Sequence, residues 1–306
     1  MIDDRPVLVI KLGALGDFVQ AFGPFAAIRE HHRQNQLVLL TTEPFISIAE
    51  ASGYFDMIRG GGRPDWRQFR EHRALRDWLR TLAPSRVYDL QTSARSSRYL
   101  KLFQSPRPEW SGIAPGCSHA HTNPARNFMH TIDRQSEQLA VAGVTPKPKP
   151  NLNWLDAEIV RFNLPERYVL LAAGGAAHRP EKRWPGFAAL AISLVDCGIL
   201  PVLLGTVSER DVTFSIREAC PQALDLSGET NLLEIAGLAR RASGAIGNDT
   251  GPMHLIAATG CPSLVLFSQA SDPSLCAQRG PHVRLLRKLD LASLTLEEVE
   301  ANLTLR

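Results

Sequence analysis

Apolar runs of strand length recur along the chain, and helical patterns of apolar residues lie between them. The runs are mostly continuous rather than alternating, and they occupy residues 7–12, 37–41, 86–91, 168–173, 200–205, 244–248 and 263–267. Continuous apolarity is typical of parallel strands that helices cover on both faces. We therefore predict an α/β fold with doubly wound parallel sheets.

A proline-rich segment divides these runs into two series. Residues 145–154, TPKPKPNLNW, hold three prolines and two lysines, which is typical of an extended linker. We predict two domains, residues 1–150 and 151–306, each with its own sheet. Near the end of the chain, residues 294–303 predict a helix, with Thr295 and Glu298 at capping-box spacing.

The composition favours a globular protein that stays out of the membrane. With 306 residues and 44% hydrophobic content, the chain can form substantial cores. No window approaches the ~20 continuous apolar residues of a membrane span. The first residues, MIDDRP, carry acids where a signal peptide carries basic groups. The five scattered cysteines show no metal-ligand spacing, so we expect reduced thiols and a cytoplasmic location.

Charge is distributed unevenly along the chain. Residues 1–150 hold 20 Lys and Arg against 14 Asp and Glu, whereas residues 151–306 hold 14 against 17. Much of the excess lies in the arginine-rich segment 63–80, which also contains two tryptophans. This segment is either a solvated amphipathic helix or a surface that faces anions. No nucleic-acid-binding motif accompanies it, so nucleic acid is not an expected partner.

The loops that follow the apolar runs are the candidate sites, because open parallel sheets bind ligands beyond the carboxyl ends of their strands. The first loop contains Gly13, Gly16 and Asp17. It does not match the dinucleotide fingerprint GxGxxG, and its acid would repel a phosphate. Asp17 is either the N-cap of the next helix or a functional carboxylate.

Two loops in the second half are suited to anions and hydroxyl groups. The small residues 174–177 would let backbone amides approach an anion, with Lys182 and Arg183 supplying charge beside them. Glu209 lies just inside a predicted helix. A carboxylate there either binds ribose hydroxyls or stabilises the helix dipole.

The fourth loop, residues 244–262, is the most informative. The strand is expected to end at Asn248, with a turn over 249–251 and Pro252 at the first helical position. Free amides at that helix start, with Thr250 and His254 beside them, would suit a diphosphate. The alternative for His254 is an ordinary histidine on a partly apolar helix.

Taken together, these motifs resemble glycosyltransferase family 9, the heptosyltransferases of bacterial lipopolysaccharide assembly. The matching segments are KLGALGD at 11–17, EKRWP at 181–185, GTVSE at 205–209 and GNDTGPMHLIAATGCPSLVLF at 247–267. Their order and spacing agree over nearly the whole chain, and the last motif is long and specific. The resemblance implies a GT-B fold, in which two Rossmann-like domains face each other across a cleft. The C-terminal helix would then pack either on its own domain or back on the N-terminal one.

The resemblance also implies roles for individual residues in an inverting reaction without metal or cofactor. The residues expected to be catalytic are Asp17 as general base, Lys182 at the donor phosphates, and His254. The residues expected to bind the donor are Gly13, Gly16, Gly174, Gly175, Lys182, Trp184, Thr206, Glu209, Asp249, Thr250, Gly251, Pro252 and His254. Since no DxD-type metal pair is evident, Lys182 and a helix N-terminus would have to stabilise the departing nucleoside diphosphate.

The expected partners are a nucleotide-sugar donor, with ADP-heptose ahead of UDP-linked hexosamines, and a lipopolysaccharide or other glycan acceptor. Arg63, Arg67, Arg95 and Arg98 are candidates for phosphates or carboxylates of that acceptor. Peripheral contact with the cytoplasmic face of the inner membrane fits such an acceptor. One alternative is a nucleotide-sugar-binding protein without catalysis. An NAD-dependent oxidoreductase is disfavoured, because no GxGxxG follows a strand.

Overall fold

The structure is a computed structural model that describes residues 4–145, 149–176 and 178–306. The chain divides into two compact units, Met1–Trp154 and Leu155–Arg306. Residues 146–148 of the predicted linker and Ala177 of the predicted anion loop lie outside the described ranges. Each unit contains one six-stranded sheet in which every neighbouring pair of strands is parallel. The predicted α/β architecture with two parallel sheets is therefore confirmed.

The first unit has the strand order β3-β2-β1-β4-β5-β6. Its strands are β1 (Val7–Ile10), β2 (Leu37–Leu40), β3 (Met57–Arg59), β4 (Arg86–Asp89), β5 (Glu109–Gly112) and β6 (His119–Ala120). Its helices are α1 (Leu15–Val19), α2 (Phe22–His31), α3 (Ile46–Ser52), α4 (Phe69–Leu82), α5 (Ala94–Arg98) and α6 (Thr131–Val141). This is the order of the Rossmann fold, and it reverses direction between β1 and β4.

The second unit repeats that order as β12-β11-β10-β7-β8-β9. Its strands are β7 (Tyr168–Ala172), β8 (Leu200–Leu203), β9 (Leu224–Asp225), β10 (Gly244–Asn248), β11 (Ser263–Phe267) and β12 (Val283–Arg287). Its helices are α7 (Phe187–Asp196), α8 (Arg210–Ala219), α9 (Leu232–Arg241), α10 (Gly251–Ala258), α11 (Pro273–Cys276) and α12 (Leu296–Asn302). The order reverses here between β7 and β10.

Burial explains which strands the sequence reveals. Every residue of the central strands β1, β2, β7, β10 and β11 is buried, so their apolar runs are continuous. The strands β3, β6 and β9 have two or three residues, and most of β12 is exposed. The sequence does not predict these strands or β5, because they lack a continuous apolar run.

The C-terminal helix α12 begins as predicted, with a reciprocal capping box between Thr295 and Glu298. It contacts α7 and β12, and Val299 is fully buried in the core of the second unit. The helix thus uses its apolar face within its own unit. No helix in the described part of the chain is long and apolar enough to span a membrane.

Candidate active site

Three of the four candidate loops flank a point where the strand order reverses. The loop at residues 11–17 follows β1, and the loops at 174–183 and 249–254 follow β7 and β10. The fourth, at 205–209, follows β8 beside β7. The carboxyl ends of strands at such a reversal form the usual ligand-binding crevice of doubly wound sheets. We describe the loops of each unit separately.

In the first unit, Asp17 lies within helix α1 rather than in front of it. Ala14 is the N-cap, so Asp17 occupies the third helical position and the N-cap interpretation is wrong. Its side chain is half-buried. Gly13 has a φ of +110°, and a Cβ added there would lie 2.7 Å from Cε2 of Phe45. Gly16 is buried in the helix, so both glycines permit close packing around the Asp17 turn.

A buried lysine lies beside this aspartate. Lys11 donates a hydrogen bond from Nζ to the carbonyl of Leu90, 3.1 Å away, and its side chain is almost completely buried. Burial lowers the pKa of Lys11, while the negative charges of Asp17 and Asp89 act in the opposite direction. Lys11 therefore brings positive charge close to the proposed base, a feature that sequence reasoning missed.

Asp89 is a second buried ionisable group at the end of β4. Its Oδ1 accepts hydrogen bonds from the amides of Gln91 and Thr92, at 3.1 and 3.0 Å. Its Oδ2 is buried without a hydrogen-bond partner among the described residues. Burial raises the pKa of Asp89 to about 6, even though the hydrogen bonds and Lys11 favour the ionised form.

The raised pKa of Asp89 makes stability depend on pH. The folded carboxyl binds its proton more tightly than the unfolded one, so its contribution is present below about pH 3.8 and is lost as pH rises through about 6. As pH rises through that interval, we expect the free energy of unfolding of Asp89→Asn to increase by roughly 2–3 kcal/mol relative to that of the native chain. Urea unfolding at a series of pH values measures this difference. The substitution also removes a charge near Lys11, which changes the free energy of unfolding by the same amount at every pH. If the free energies of unfolding of the two proteins differed by the same amount at every pH, the prediction would be contradicted.

Two arginines in the first unit, Arg126 and Arg134, lie close to one another. Nε and Nη2 of Arg126 are buried and, within the described ranges, make no hydrogen bond. Burial and the nearby charge of Arg134 lower the pKa of Arg126. Arg134 itself donates to the hydroxyl of Thr131 at 3.5 Å and also acts electrostatically on Lys11. Because Arg126 donates to Asn127 through Nη1, its Nε and Nη2 are the groups suited to an anion.

The four arginines predicted for the acceptor occupy different settings. Arg95 donates to the carbonyl of Pro64 at 2.7 Å and acts electrostatically on the Tyr99 hydroxyl. Arg63 is exposed and acts electrostatically on the same tyrosine. Arg67 stacks its guanidinium over the ring of Trp66, and Arg98 is exposed on α5. Arg63 and Arg95 are thus brought together around one tyrosine.

In the second unit, the structure joins Lys182 directly to Asp249. Lys182 Nζ lies 2.6 Å from Asp249 Oδ2, and both side chains are largely buried. Ser271 Oγ donates to the same carboxylate oxygen at 2.7 Å, and Gln278 Nε2 donates to Oδ1 at 3.1 Å. Burial alone would raise the pKa of Asp249, but the bonds from Lys182, Ser271 and Gln278 outweigh it and lower that pKa. Asp249 is therefore an anion that holds Lys182 in a defined position.

Sequence reasoning missed Ser271 and Gln278. Both follow β11, the strand next to β10, so the rule of searching after each apolar run would have reached their loop. Neither residue type signals a site by itself. Gln278 is buried, and its Oε1 has no hydrogen-bond partner among the residues that the structure describes.

Asn248 and Trp184 hold the loops after β7 and β10 together through hydrogen bonds. The Asn248 side chain accepts from the Trp184 amide at 3.0 Å and donates to the carbonyls of Ala173 and Gly174 at 2.8 and 3.0 Å. The Trp184 indole is buried in the core and donates to the Leu294 carbonyl at 2.9 Å. The ring is thus used in packing, and donor binding by Trp184 stays a prediction.

Glu209 links the loop after β8 to the loop after β7 through hydrogen bonds. Its Oε1 accepts from the Gly175 amide at 2.6 Å, and its Oε2 accepts from the amide and hydroxyl of Thr206, both at 2.8 Å. A Cβ at Gly174 would overlap this carboxylate, so a larger residue there would displace Glu209 from its present position. The arrangement is a capping box that also fixes the loop after β7.

We expect Glu209→Gln to weaken nucleotide binding about tenfold, because it removes one charge-assisted acceptor from the loop and from any bound ribose. Calorimetric titration with ADP measures this change. Glu218→Gln provides a matched control, since Glu218 is an exposed carboxylate on α8 of the same unit. Equal ADP affinity in both variants would contradict the prediction.

The turn after β10 leads into α10 as the motif predicts, with Thr250 as N-cap, Gly251 first and Pro252 second in the helix. The helix thus begins one residue earlier than expected. The Thr250 hydroxyl is buried and has no partner in the described part of the chain. The His254 side chain is buried in the first turn. Nearby, Arg183 bonds the Gly175 carbonyl. A Cβ added at Gly175 would lie 3.6 Å from Cγ2 of Thr250, so the loops after β7 and β10 converge.

A family model described as glycosyltransferase family 9 (heptosyltransferase) matches residues 75–293. Two curated relatives match a shorter segment. The lipooligosaccharide heptosyltransferase 2 of Haemophilus influenzae is 35% identical over 115 residues, which are 35% of this chain and 33% of the relative. The lipopolysaccharide heptosyltransferase 2 of Escherichia coli is 34% identical over 113 residues, 35% of this chain and 32% of the relative. The aligned segment thus spans about a third of each relative.

Solved structures resemble the chain over almost its whole length. The E. coli ADP-heptose lipopolysaccharide heptosyltransferase II has a TM-score of 0.78 at 20% identity and covers 98% of both chains. A family 9 glycosyltransferase from Veillonella parvula has a TM-score of 0.80 at 19% identity and covers 94% of this chain and 87% of its own. The E. coli heptosyltransferase WaaC with ADP has a TM-score of 0.77 at 20% identity, with coverage of 97% and 98%. These similarities confirm the GT-B-like fold.

Proposed function

Because the chain belongs to glycosyltransferase family 9, we propose that it transfers a heptose from ADP-heptose to an acceptor of the lipopolysaccharide core, with inversion and without a metal ion. The observation that carries this proposal is the buried Lys182–Asp249 pair at the reversal point of the second sheet. Two findings support the choice of donor. A curated relative is named lipopolysaccharide heptosyltransferase 2, and one similar solved structure is described as a heptosyltransferase with ADP.

The second unit would bind the donor. Lys182, held by Asp249, supplies a cation for the diphosphate, and the start of α10 adds backbone amides and a helix dipole. The buried Thr250 hydroxyl lies in the same turn and is available to the donor. Glu209 would accept hydrogen bonds from the ribose. As the glycosyl bond breaks, Lys182 stabilises the charge that develops on the nucleoside diphosphate.

The first unit would supply the base. Asp17 accepts the proton of the acceptor hydroxyl as that oxygen attacks the anomeric carbon, and the half-buried position leaves the carboxylate open to a substrate. Inversion follows from a single displacement at the anomeric carbon.

The acceptor would be recognised through its anionic groups. Arg126 and Arg134 lie near Lys11 and Asp89, and Nε and Nη2 of Arg126 make no hydrogen bond among the described residues. They add to the four arginines predicted from the sequence. We expect Arg126→Gln to raise the KM for a phosphorylated lipid A–Kdo acceptor about tenfold, because one charge-assisted contact is lost. The measurement compares acceptors with and without phosphates. A KM that Arg126→Gln leaves unchanged for every anionic acceptor would contradict this role.

A donor panel tests the function itself. Purified protein is titrated calorimetrically with ADP-heptose, ADP-glucose, UDP-glucose and UDP-N-acetylglucosamine, and each donor is then assayed for transfer. We expect ADP-heptose to bind most tightly and to be consumed only with acceptor. If a UDP-hexosamine bound most tightly and was transferred instead, it would replace ADP-heptose as the proposed donor. Binding without any transfer would favour the non-catalytic alternative.

A further inference from the structure

A buried glutamine beside the Lys182–Asp249 pair carries a hydrogen-bond acceptor that no described residue uses. Gln278 is 3% exposed, and its Nε2 donates to Asp249 Oδ1 at 3.1 Å. Because an ionised carboxylate only accepts hydrogen bonds, this contact fixes the amide with its NH2 group towards Asp249. The carbonyl oxygen, Oε1, is buried and has no partner among the described residues. A buried acceptor in this state is costly, so a group that donates to it is bound favourably.

The order of the strands indicates which part of a donor would reach this amide. Glu209, proposed for the ribose, follows β8. Lys182 and the start of α10, proposed for the diphosphate, follow β7 and β10, and Gln278 lies beyond β11. These strands are neighbours in the order β8-β7-β10-β11, and a nucleotide-sugar has its ribose, diphosphate and sugar in the same linear order. The sugar therefore extends towards the loop after β11, one strand spacing of about 4.8 Å beyond the diphosphate.

We propose, on the basis of the function proposed above, that Gln278 is a specificity-determining residue whose Oε1 accepts a hydrogen bond from a hydroxyl group of the transferred sugar. A carbonyl oxygen attracts a hydroxyl group but not a phosphate, because phosphate oxygens are themselves acceptors. The side chains of Lys182 and Asp249 are 14% and 7% exposed, so the cluster borders the surface. The terminal torsion of a glutamine is broad, and a small rotation presents Oε1 to the sugar while Nε2 stays close to Asp249.

Calorimetric titration of the full chain with ADP and with ADP-heptose tests the proposal. The ratio of the Kd for ADP to the Kd for ADP-heptose reports what the sugar adds to binding. Gln278→Met keeps the length of the side chain without its amide, so we expect this ratio to fall about tenfold. Loss of the bond to Asp249 should weaken both ligands equally and so cancels in the ratio. Among analogues of ADP-heptose that each lack one hydroxyl group, the native chain should bind one about tenfold more weakly, and Gln278→Met should not discriminate against that analogue.

Two control variants accompany these titrations. Ser271→Ala removes another hydrogen bond to Asp249 without changing Gln278, so it should leave the ratio at its native value. Gln222→Met replaces an exposed glutamine that precedes β9, at the opposite edge of the sheet, and should leave both affinities unchanged. A native ratio in Gln278→Met would overturn the proposal. So would a native chain that binds every deoxy analogue as tightly as ADP-heptose, and this second test does not depend on the folding of a variant.

The same comparison with UDP and UDP-N-acetylglucosamine makes the test independent of which nucleotide the protein prefers. Because only binding is measured, a sugar-dependent affinity without any transfer would refute the proposed transferase activity and leave the role of Gln278 intact. If the native chain bound both nucleotides as tightly as their sugar derivatives, the role of Gln278 would be overturned, whatever the transfer assays show.

Discussion

Replacing Asp17 by asparagine is expected to lower kcat about 10²- to 10⁴-fold and to leave the affinity for ADP-heptose unchanged. Asparagine has nearly the same shape but accepts no proton at neutral pH, so the acceptor hydroxyl would attack without a base. Most of the residues proposed to bind the donor, including Lys182 and Asp249, belong to the other unit, which is why binding should persist. Steady-state transfer kinetics and calorimetry on the same preparation measure the two quantities.

The control for this variant is Glu50→Gln. Glu50 is an exposed carboxylate on helix α3 of the same unit, so the substitution removes the same charge without touching the loop after β1. The loss of Asp17 at the start of α1 should cost only about 0.3–1 kcal/mol of helix stabilisation. Undiminished transfer by Asp17→Asn in a normally folded protein would eliminate Asp17 as the base.

The second large effect is expected from Lys182→Gln. The substitution removes the cation proposed for the diphosphate, so kcat/KM for the donor should fall about 10²- to 10³-fold. It also leaves the buried carboxylate of Asp249 with Ser271 and Gln278 as its side-chain partners among the described residues, at a cost of up to about 3 kcal/mol in stability. Transfer kinetics, donor titration and thermal unfolding report on these consequences separately. Lys182→Arg should recover part of the donor affinity because the charge is retained.

The chain offers a closely matched ion pair as control. Lys288 Nζ lies 2.6 Å from Glu298 Oε1, the same separation as in the Lys182–Asp249 pair, but its side chain is 35% exposed rather than 14%. We expect Lys288→Gln to change stability by at most about 1 kcal/mol and to leave donor affinity intact. If both lysine variants lost donor affinity equally, the effect would be general and Lys182 would have no specific role.

The fold was largely predictable because fully buried strands are recognisable in the sequence as continuous apolar runs. Strands such as β1 and β10 are enclosed on both faces and must be apolar throughout, so the pattern reveals them. The short strand β9 and the half-exposed strand β12 need no such run, and the sequence does not distinguish them from loops. The capping box at Thr295 was predictable because its partners lie three residues apart.

The candidate site was predictable only in part. The sequence by itself determined that Asp17, Lys182, Glu209 and Asp249 follow apolar strands, because local order along the chain sets that position. The tertiary structure decided which groups meet. Ser271 and Gln278 reach Asp249 across 22 and 29 residues, and Glu209 reaches Gly175 across 34. Such contacts depend on how strands are ordered in the sheet and how side chains pack, and no local pattern encodes them.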